Sequence, residues 1–311
     1  MKEKLKKIIY SLGLEYQGLK LKELYLKIKF SNNSSKEKYI QKKFKEKLGY
    51  EIDFSKEPVT FNQKIQFRKL YDNNPLYSIY ADKYKVREYV KEKIGEEYLI
   101  PLLLVTDKLT EEQWDKLPNQ FVAKANHNSG PVQIVKDKSK ADKKKIIKEL
   151  NNQLKLDYGI LSMEKYYSDI TRRVIVEEFL KDNKRNMLQD IKVHCFNDGK
   201  KRRYFFDLCS RESVTGRVNS TIYDENWTNL KITNAILDKN EYKKPSNFKE
   251  LLEIVKKLSE DFDCIRIDLY NIDEKIYFGE LTFCDDSGFG KFTDEEWDYK
   301  FGSYWKQRIL K

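Results

Sequence analysis

Arg266-Ile-Asp-Leu-Tyr-Asn-Ile-Asp-Glu-Lys-Ile-Tyr-Phe-Gly-Glu-Leu-Thr282 is the stretch that decides the fold, because it predicts two strands and a turn with an acid on each strand. Asp268 and Glu280 each interrupt an apolar segment beside a polar turn. A loop centred on Glu274 would set these two acids opposite each other on one face of an antiparallel hairpin. Paired carboxylate oxygens suit a hard cation such as Mg²⁺, and Mg²⁺ suggests phosphate.

The same two acids also have an ordinary structural explanation. Charged side chains usually cover the solvent face of an amphipathic hairpin, and charged residues make up 36% of this chain. Two acids at this spacing therefore arise readily by chance. A metal site becomes the better interpretation only if other segments contribute matching chemistry.

The composition predicts a folded protein with a sizeable core. The chain has 311 residues, of which 40% are apolar, and these include 17 Phe and 21 Tyr. Its 6 Pro and 12 Gly are too few for a collagen-like or disordered chain. The sequence contains no internal repeat.

The net charge of +11 does not by itself indicate nucleic-acid binding. Lysines are spread along the chain, often beside acids, so we expect no nucleic-acid partner. Lys2, Lys4, Lys6 and Lys7 precede an apolar segment that Glu15 soon interrupts, and no cleavage site follows. We therefore expect a cytoplasmic protein, and peripheral contact of the basic N-terminus with an anionic inner membrane face stays open.

Cysteine and histidine usage limits the chemistry. The four cysteines are widely separated and form no zinc or redox spacing, which predicts reduced core residues. The only two histidines, His127 and His194, argue against a histidine-rich metal site and a Ser/His/Asp hydrolase. We expect His127 to pack within its loop. Catalysis would then depend on Lys, Arg and carboxylate side chains.

The order of predicted elements indicates an α+β fold. Apolar residues at helical spacing predict helices over Tyr39–Leu48, Asn62–Tyr71 and Ile79–Ile94. Beyond Gly95 strands and helices mix, including a predicted helix around Ser162–Tyr167. The strict alternation of a doubly wound parallel sheet is missing.

A lysine at the end of a predicted strand is a candidate phosphate ligand. Phe121–Lys124 predicts a strand, and the small polar loop that ends in Ser129 and Gly130 leads into a second strand. Backbone N–H groups of such a loop can fold over an anion. An ordinary hairpin with an exposed lysine would have the same pattern.

Two later strands carry polar residues that suit a nucleotide. The apolar strand before Glu177 and Glu178 ends in groups that could meet a purine edge. Asp190, Lys192 and His194 alternate, so they share one strand face where a ribose and a phosphate would fit. A strand that meets solvent would also end in two acids, and any half-exposed strand alternates in this way. Arg211 and Arg266 add guanidinium groups, although either is more often a surface residue or a salt-bridge partner to a nearby acid.

Taken in order, these segments resemble the ATP-grasp superfamily. Within this superfamily, the residues of these motifs are similar to those of the teichuronopeptide-biosynthesis branch, which is encoded in capsule and cell-wall polysaccharide loci. The segments that carry this resemblance are Thr60–Gln66, Leu70–Tyr77, Ala81–Arg87, Phe121–Gly130, Asp190–Asn197 and Tyr277–Gly290.

The resemblance implies an α+β, ATP-grasp fold in which two subdomains with antiparallel sheets hold ATP between them. We expect a helical region over residues 1–80, an N-terminal subdomain over 81–185 and a C-terminal subdomain over 186–311. The implied nucleotide ligands are Lys83, Lys124, Ser129, Gly130, Glu177, Glu178, Leu180, Asp190 and Lys192. Among them, Lys124 would contact the α- and β-phosphates, Glu177 the adenine amine and Asp190 the ribose, while Glu178 and Leu180 would offer backbone groups to the ring.

The resemblance also implies catalytic and metal-binding residues. Arg266, Arg211 and Lys192 would face the phosphates or an acyl phosphate, while Asp268 and Glu280 would bind Mg²⁺. Many ATP-grasp ligases have Asn where this chain has Thr282. This departure puts the third metal ligand in question.

The expected function is an ATP- and Mg²⁺-dependent carboxylate–amine ligase that forms an amide through an acyl phosphate. By resemblance alone, its substrates would be a uronic-acid-containing capsule or cell-wall glycan, or its nucleotide-sugar precursor, and an amino acid or other amine. The alternatives are a glycosyltransferase of polysaccharide biosynthesis and a non-catalytic ATP-binding scaffold.

Overall fold

The computed structural model describes residues 15–182, 188–211 and 218–310, with only the backbone described for Arg211. The chain divides into two compact units. The first unit combines the chain up to Lys36 with Pro101–Phe179, and the second combines Glu37–Ile100 with Leu180–Lys311. This division differs from the predicted subdomain boundaries at residues 80 and 185, which stay a prediction.

Helices and strands are mixed along the described part of the chain. The helices are α1 (Glu15–Lys29), α2 (Asn33–Leu48), α3 (Phe61–Tyr71), α4 (Tyr77–Tyr80), α5 (Val86–Lys93), α6 (Glu111–Lys116), α7 (Lys143–Gln153), α8 (Tyr158–Ser162), α9 (Phe248–Ser259) and α10 (Glu296–Ser303). The strands are β1 (Leu102–Thr106), β2 (Phe121–Ala125), β3 (Gln133–Val135), β4 (Val174–Glu178), β5 (Asp190–Asn197), β6 (Arg202–Arg211), β7 (Val218–Tyr223), β8 (Ile236–Leu237), β9 (Cys264–Ile272) and β10 (Lys275–Thr282). The predicted α+β class is confirmed.

A four-stranded antiparallel sheet forms the centre of the first unit. Its strand order is β1-β4-β2-β3, so β4 has a partner on both sides. Val174, Ile175 and Val176 are all fully buried, which explains why β4 is a continuous apolar run rather than an alternating one. Trp114 and Phe121 pack edge to face in the core beneath this sheet.

A six-stranded sheet forms the centre of the second unit. Its order is β10-β9-β5-β6-β7-β8, and every neighbouring pair is antiparallel except β7 and β8. The helix α9 packs on β9 and β5 through an apolar face on which Leu251, Val255 and Leu258 are fully buried. Among the described residues, no helix is both long and apolar enough to cross a membrane.

The predicted helices over Tyr39–Leu48 and Asn62–Tyr71 are confirmed as parts of α2 and α3. The prediction of one helix over Ile79–Ile94 is wrong, because α4 and α5 are separate. The side chain of Asp82 accepts hydrogen bonds from the backbone N–H groups of Tyr84 and Lys85, which competes with helical hydrogen bonding at this point.

The prediction of a single helix around Ser162–Tyr167 is also wrong. The helix α8 already ends at Ser162, because Met163 adopts the left-handed conformation with φ 63°. The residues that follow form a separate 3₁₀ turn, Lys165–Tyr167. The apolar spacing across this segment therefore arises from two short elements rather than one.

A buried ion pair ties α3 to the start of β9. Arg68 and Asp263 are both buried, and Arg68 Nη2 donates to Asp263 Oδ1 at 2.5 Å. Arg68 also donates to the carbonyl oxygens of Cys264 and Phe283, which lie just inside β9 and just beyond β10. Trp305 donates to the second Asp263 oxygen at 2.9 Å. One arginine thus binds both strands of the β9–β10 hairpin at its open end.

Loss of this arginine is expected to destabilise the second unit strongly. We predict that Arg68→Met lowers the free energy of unfolding by about 3 to 5 kcal/mol, because the buried Asp263 carboxylate loses its counter-charge. Urea denaturation followed by circular dichroism measures the change. The control Lys42→Met removes an exposed pair with Glu46 in the same unit and should hardly move the midpoint. Equal midpoints for the two variants would contradict the structural role of Arg68.

Candidate active site

The β9–β10 hairpin brings the two predicted metal ligands together. Its turn, Asp273-Glu274, has positive φ at both residues (49° and 67°), as a tight two-residue hairpin requires. Beyond the turn the register shifts between Phe278 and Glu280, so Gly279 forms a β-bulge. As predicted, Asp268 and Glu280 are paired directly across the two strands.

The bulge, and not the centre of the turn, produces this pairing. The turn is centred between Asp273 and Glu274, so an unbroken ladder would put Asp268 opposite Gly279 and Glu280 on the other face. The extra residue restores the facing pair of acids. A Cβ atom at Gly279 would stand only 3.0 Å from the Asp268 carbonyl oxygen, which favours glycine here.

Arg266 is the cation that these acids share. Its Nε and Nη2 atoms donate to the two carboxylate oxygens of Asp268 at 2.7 and 2.8 Å, which makes a bidentate pair. Nη2 also lies 3.5 Å from Glu280 Oε1, and Nη1 donates to Asp285 in the turn after β10. One guanidinium group therefore contacts three carboxylates.

Lys83 and Thr282 complete the surroundings of Glu280. Lys83 Nζ lies 3.0 Å from Glu280 Oε2, so this predicted nucleotide ligand is next to a predicted metal ligand. The Thr282 hydroxyl accepts a hydrogen bond from Arg266 at 3.1 Å and donates one to Glu280 at 3.3 Å. The residue that replaces asparagine thus remains in contact with the acid pair.

The donor set on this hairpin fits Mg²⁺. Asp268, Glu280 and Thr282 offer two carboxylates and a hydroxyl, which are hard oxygen ligands, and Mg²⁺ usually keeps several waters besides. Burial first, and then the Glu280 charge, raise the pKa of Asp268 although Arg266 opposes them. Within the part of the chain that the structure describes, no cluster of three or more His, Cys, Asp or Glu is arranged to hold a metal. Water and phosphate oxygens would have to complete the coordination.

A row of charged residues extends from the hairpin across the sheet. Glu280, Asp268, Lys192 and Asp207 are paired in turn on β10, β9, β5 and β6. The sequence predicts the first three as site residues but not Asp207. Asp207 is 3% exposed, and its Oδ1 atom has no hydrogen-bond partner among the described residues. The short turn between β5 and β6 was the signal that could have placed it opposite Lys192.

Two further acids lie in the 3₁₀ turn Asp285–Gly288 and were also missed. Burial would raise the pKa of Asp285, but the charges of Arg266 and Lys192 oppose it, and that pKa is lowered. Asp286 reaches solvent, and the neighbouring Asp285 charge raises its pKa to about 6. Residues in such a turn follow no periodic pattern, so the sequence did not indicate that they join the hairpin site.

Both histidines are buried packing residues. A ring nitrogen of His127 lies 3.2 Å from the Leu156 carbonyl oxygen, in agreement with the expected packing role. His194 stacks with Phe196 and Phe301, and burial lowers its pKa. A low pKa keeps the His194 ring neutral at physiological pH.

In the first unit, the predicted phosphate ligand pairs with the predicted adenine ligand. Lys124 on β2 and Glu177 on the neighbouring strand β4 approach to 2.6 Å between Nζ and Oε2. Their side chains are only 15% and 8% exposed. Glu177 therefore fixes the direction of the Lys124 ammonium group, in addition to any contact of its own.

The loop after β2 is held from within by Asn128. Its side chain accepts a hydrogen bond from Gly130 N at 3.2 Å and donates one to Gln153 at 3.1 Å. Ser129 is exposed at the loop surface. Any contact of Ser129 or Gly130 with phosphate stays a prediction.

The remaining predicted ligands lie near strand ends. Glu178 closes β4, and its N–H donates to the Pro101 carbonyl oxygen at 3.0 Å. Leu180 follows β4, and Asp190 begins β5 opposite Tyr270. The side chain of Arg211 lies outside the described residues, so its predicted role is not tested.

A family model described as TupA-like ATPgrasp matches residues 63–306. The chain belongs to the TupA-like ATP-grasp family. The resemblance to ATP-grasp proteins and to this branch is thereby confirmed. No curated protein sequence matches this TupA-like chain.

Solved structures of several ligases resemble the fold of this TupA-like protein. A D-alanine–D-alanine ligase from Helicobacter pylori matches with 16% identity over 78% of this chain and 68% of its own, at a TM-score of 0.42. The corresponding ligase from Bacillus anthracis matches with 16% identity over 71% of this chain and 63% of its own, at a TM-score of 0.35. The phosphoribosylamine–glycine ligase of Thermotoga maritima matches with 13% identity over 77% of this chain and 60% of its own, at a TM-score of 0.42. The chain thus spans about two thirds or less of the length of these ligases.

The pair of Lys124 and Glu177 generates a test that separates folding from ligand binding. We predict that Lys124→Met lowers the melting temperature, because it leaves the Glu177 carboxylate buried without its partner, and weakens Mg²⁺–ATP binding at least about tenfold. The double variant Lys124→Met/Glu177→Leu should recover the melting temperature but not ATP binding. Thermal melts and calorimetric titration measure the two effects. Normal ATP binding by the double variant would show that Lys124 is only structural.

Proposed function

We propose that this TupA-like protein is an ATP- and Mg²⁺-dependent ligase that joins a carboxylate to an amine. The observation that carries the proposal is the facing pair of Asp268 and Glu280 on one hairpin, with Arg266 of the same hairpin and Lys83 from another segment in contact with them. Family membership supports the use of ATP. Such a site needs charge stabilisation more than proton transfer, which agrees with two buried histidines.

Asp268 and Glu280 would hold Mg²⁺, and the Thr282 hydroxyl would bind it directly or through a water. When bound, Mg²⁺ would neutralise the charge that develops on the nucleotide phosphates. Lys83 and Arg266 contact these acids. They would therefore also lie close to phosphates bound to the Mg²⁺. They would limit repulsion between the acids and an anionic nucleotide.

Lysine, carboxylate and backbone groups would bind the nucleotide. On the first unit, Lys124, directed by Glu177, would contact the phosphates, and the loop with Ser129 and Gly130 would offer its N–H groups. Glu177 and the backbone groups of Glu178 and Leu180 would contact the base. Asp190 would bind the ribose. These assignments follow the family pattern residue by residue.

The substrate carboxylate would attack the terminal phosphorus of ATP, which forms an acyl phosphate and releases ADP. The amine would then attack the acyl carbon, lose a proton and displace phosphate, which leaves an amide. Because the Arg266 guanidinium group already forms a bidentate pair with Asp268, Arg266 would act mainly by holding the acids in place. Lys192 and Arg211 are then the proposed cations for the acyl phosphate.

The substrates are proposed from the family resemblance alone. The carboxylate would be a uronic acid of a capsule or cell-wall glycan or of its nucleotide-sugar precursor. The amine would be an amino acid or another primary amine. Cytoplasmic location is likewise a proposal, and it matches where ATP and nucleotide sugars are available.

The decisive experiment is a screen for ADP release across uronates, nucleotide-linked uronates and amino acids. We expect ADP only with a carboxylate and an amine together, and at least about 100-fold less ADP from Asp268→Asn or Glu280→Gln, since each loses a metal ligand. Glu274→Gln changes a carboxylate at the turn of the same hairpin and should retain activity. Calorimetry should show weakened Mg²⁺-dependent ATP binding in the first two variants only.

Three outcomes would contradict the proposal. Unaltered ATP turnover in both Asp268→Asn and Lys124→Ala would show that the assignment of the site residues is wrong. Sugar transfer from a nucleotide sugar without ATP would favour a glycosyltransferase. ATP binding without ADP release for any carboxylate–amine pair would favour a scaffold.

A further inference from the structure

Helix α1 carries an apolar stripe that faces solvent. Leu21, Leu24, Tyr25 and Ile28 are 69%, 56%, 57% and 71% exposed. Their spacing of three, four and seven residues puts all four on one side of the helix. Single exposed apolar residues need no explanation, but a stripe of four large ones marks an interaction surface.

The opposite side of α1 is the one that packs on the first unit. Leu26 and Glu23 are buried there, and Glu23 Oε2 accepts a hydrogen bond from the backbone N–H of Asp157 at 3.0 Å. Lys20 donates to the Lys155 carbonyl oxygen at 3.0 Å. These contacts fix the rotation of the helix, so the apolar stripe is not its core-facing side.

Lysines border the stripe on both sides. At about 100° per residue, Lys22 and Lys29 flank one edge, and Lys20 and Lys27 flank the other. All four are exposed. The only acids of α1 are Glu15 in its first turn and the buried Glu23, so the outward face is positively charged.

We propose that this face of α1 docks on an anionic lipid surface. The helix is about 22 Å long and would lie in the plane of the interface, with the stripe among the acyl chains and the lysines at the lipid headgroups. Charge complementarity favours this occupant over a second copy of the chain, because antiparallel pairing of two such faces would bring lysines against lysines. None of the residues on this face is a proposed ligase residue, so the inference does not depend on the proposed reaction.

The test is co-sedimentation of the full-length protein with vesicles in the absence of nucleotide. We expect binding to phosphatidylcholine vesicles that contain phosphatidylglycerol, little binding to phosphatidylcholine alone, and release by added salt. Leu24→Gln/Ile28→Gln should weaken binding by about tenfold or more. The control Val59→Gln/Ile134→Gln changes two apolar residues elsewhere with 59% and 58% exposure and should bind like the unaltered protein.

The charge contribution has its own matched pair of variants. Lys22→Gln/Lys27→Gln/Lys29→Gln should also weaken binding by about tenfold or more. Lys42→Gln/Lys116→Gln/Lys140→Gln removes the same charge from side chains that are 74–84% exposed on other surfaces and should have little effect. Equal loss in both triple variants would mean that only net charge matters and would overturn the assignment to α1.

Two other results would also overturn the proposal that α1 docks on an anionic lipid surface. One is the absence of any preference for anionic vesicles in the unaltered protein. The other is a dimer, detected by sedimentation velocity without lipid, that Leu24→Gln/Ile28→Gln dissociates, since the stripe would then be a self-association surface. Circular dichroism and Mg²⁺–ATP titration of each variant verify that folding and nucleotide binding are unchanged.

Discussion

The candidate site depends on one extra residue in a strand. Side chains alternate between the two faces of a sheet, so a shift of one residue moves every later side chain to the other face. In β10 the bulge at Gly279 provides that shift, and as a result Glu280 faces Asp268. Without the bulge, Arg266 and Lys83 would meet only one acid of the pair. Only a residue without a side chain fits easily at 3.0 Å from the Asp268 carbonyl oxygen.

The rest of the second unit holds this hairpin in position. Arg68 binds one carbonyl group from each strand at the open end of the hairpin, and Asp263 neutralises its charge. A buried pair of this kind contributes little net stability, but its geometry is specific and its disruption is costly. Arg266 has the corresponding role at the functional face, where it holds Asp268 and Asp285 in fixed positions.

Local patterns predicted the class of fold, whereas the arrangement of the candidate site depends on long-range geometry that they do not contain. Asp268 and Glu280 could be placed because they are on one hairpin. The bulge appears in the sequence as a step of three, from Phe278 to Leu281, in the spacing of the buried residues of β10. The contact between Lys124 and Glu177 depends on two strands that are distant in sequence. Asp285 joins the site through a turn with positive φ at Asp286, which no periodicity indicates. The break between α4 and α5 likewise depends on one side chain, Asp82, that outcompetes helical hydrogen bonds.

The central claim is that the facing acids bind a divalent cation together with a nucleotide. Mn²⁺ commonly replaces Mg²⁺ at oxygen ligands, and its free form is measured directly by electron paramagnetic resonance. With ADP present, the unaltered protein should remove Mn²⁺ from solution in a stoichiometric, saturable manner. The variant Asp268→Asn/Glu280→Gln should remove no more Mn²⁺ than ADP alone does. Equal Mn²⁺ uptake by the two proteins would contradict the account.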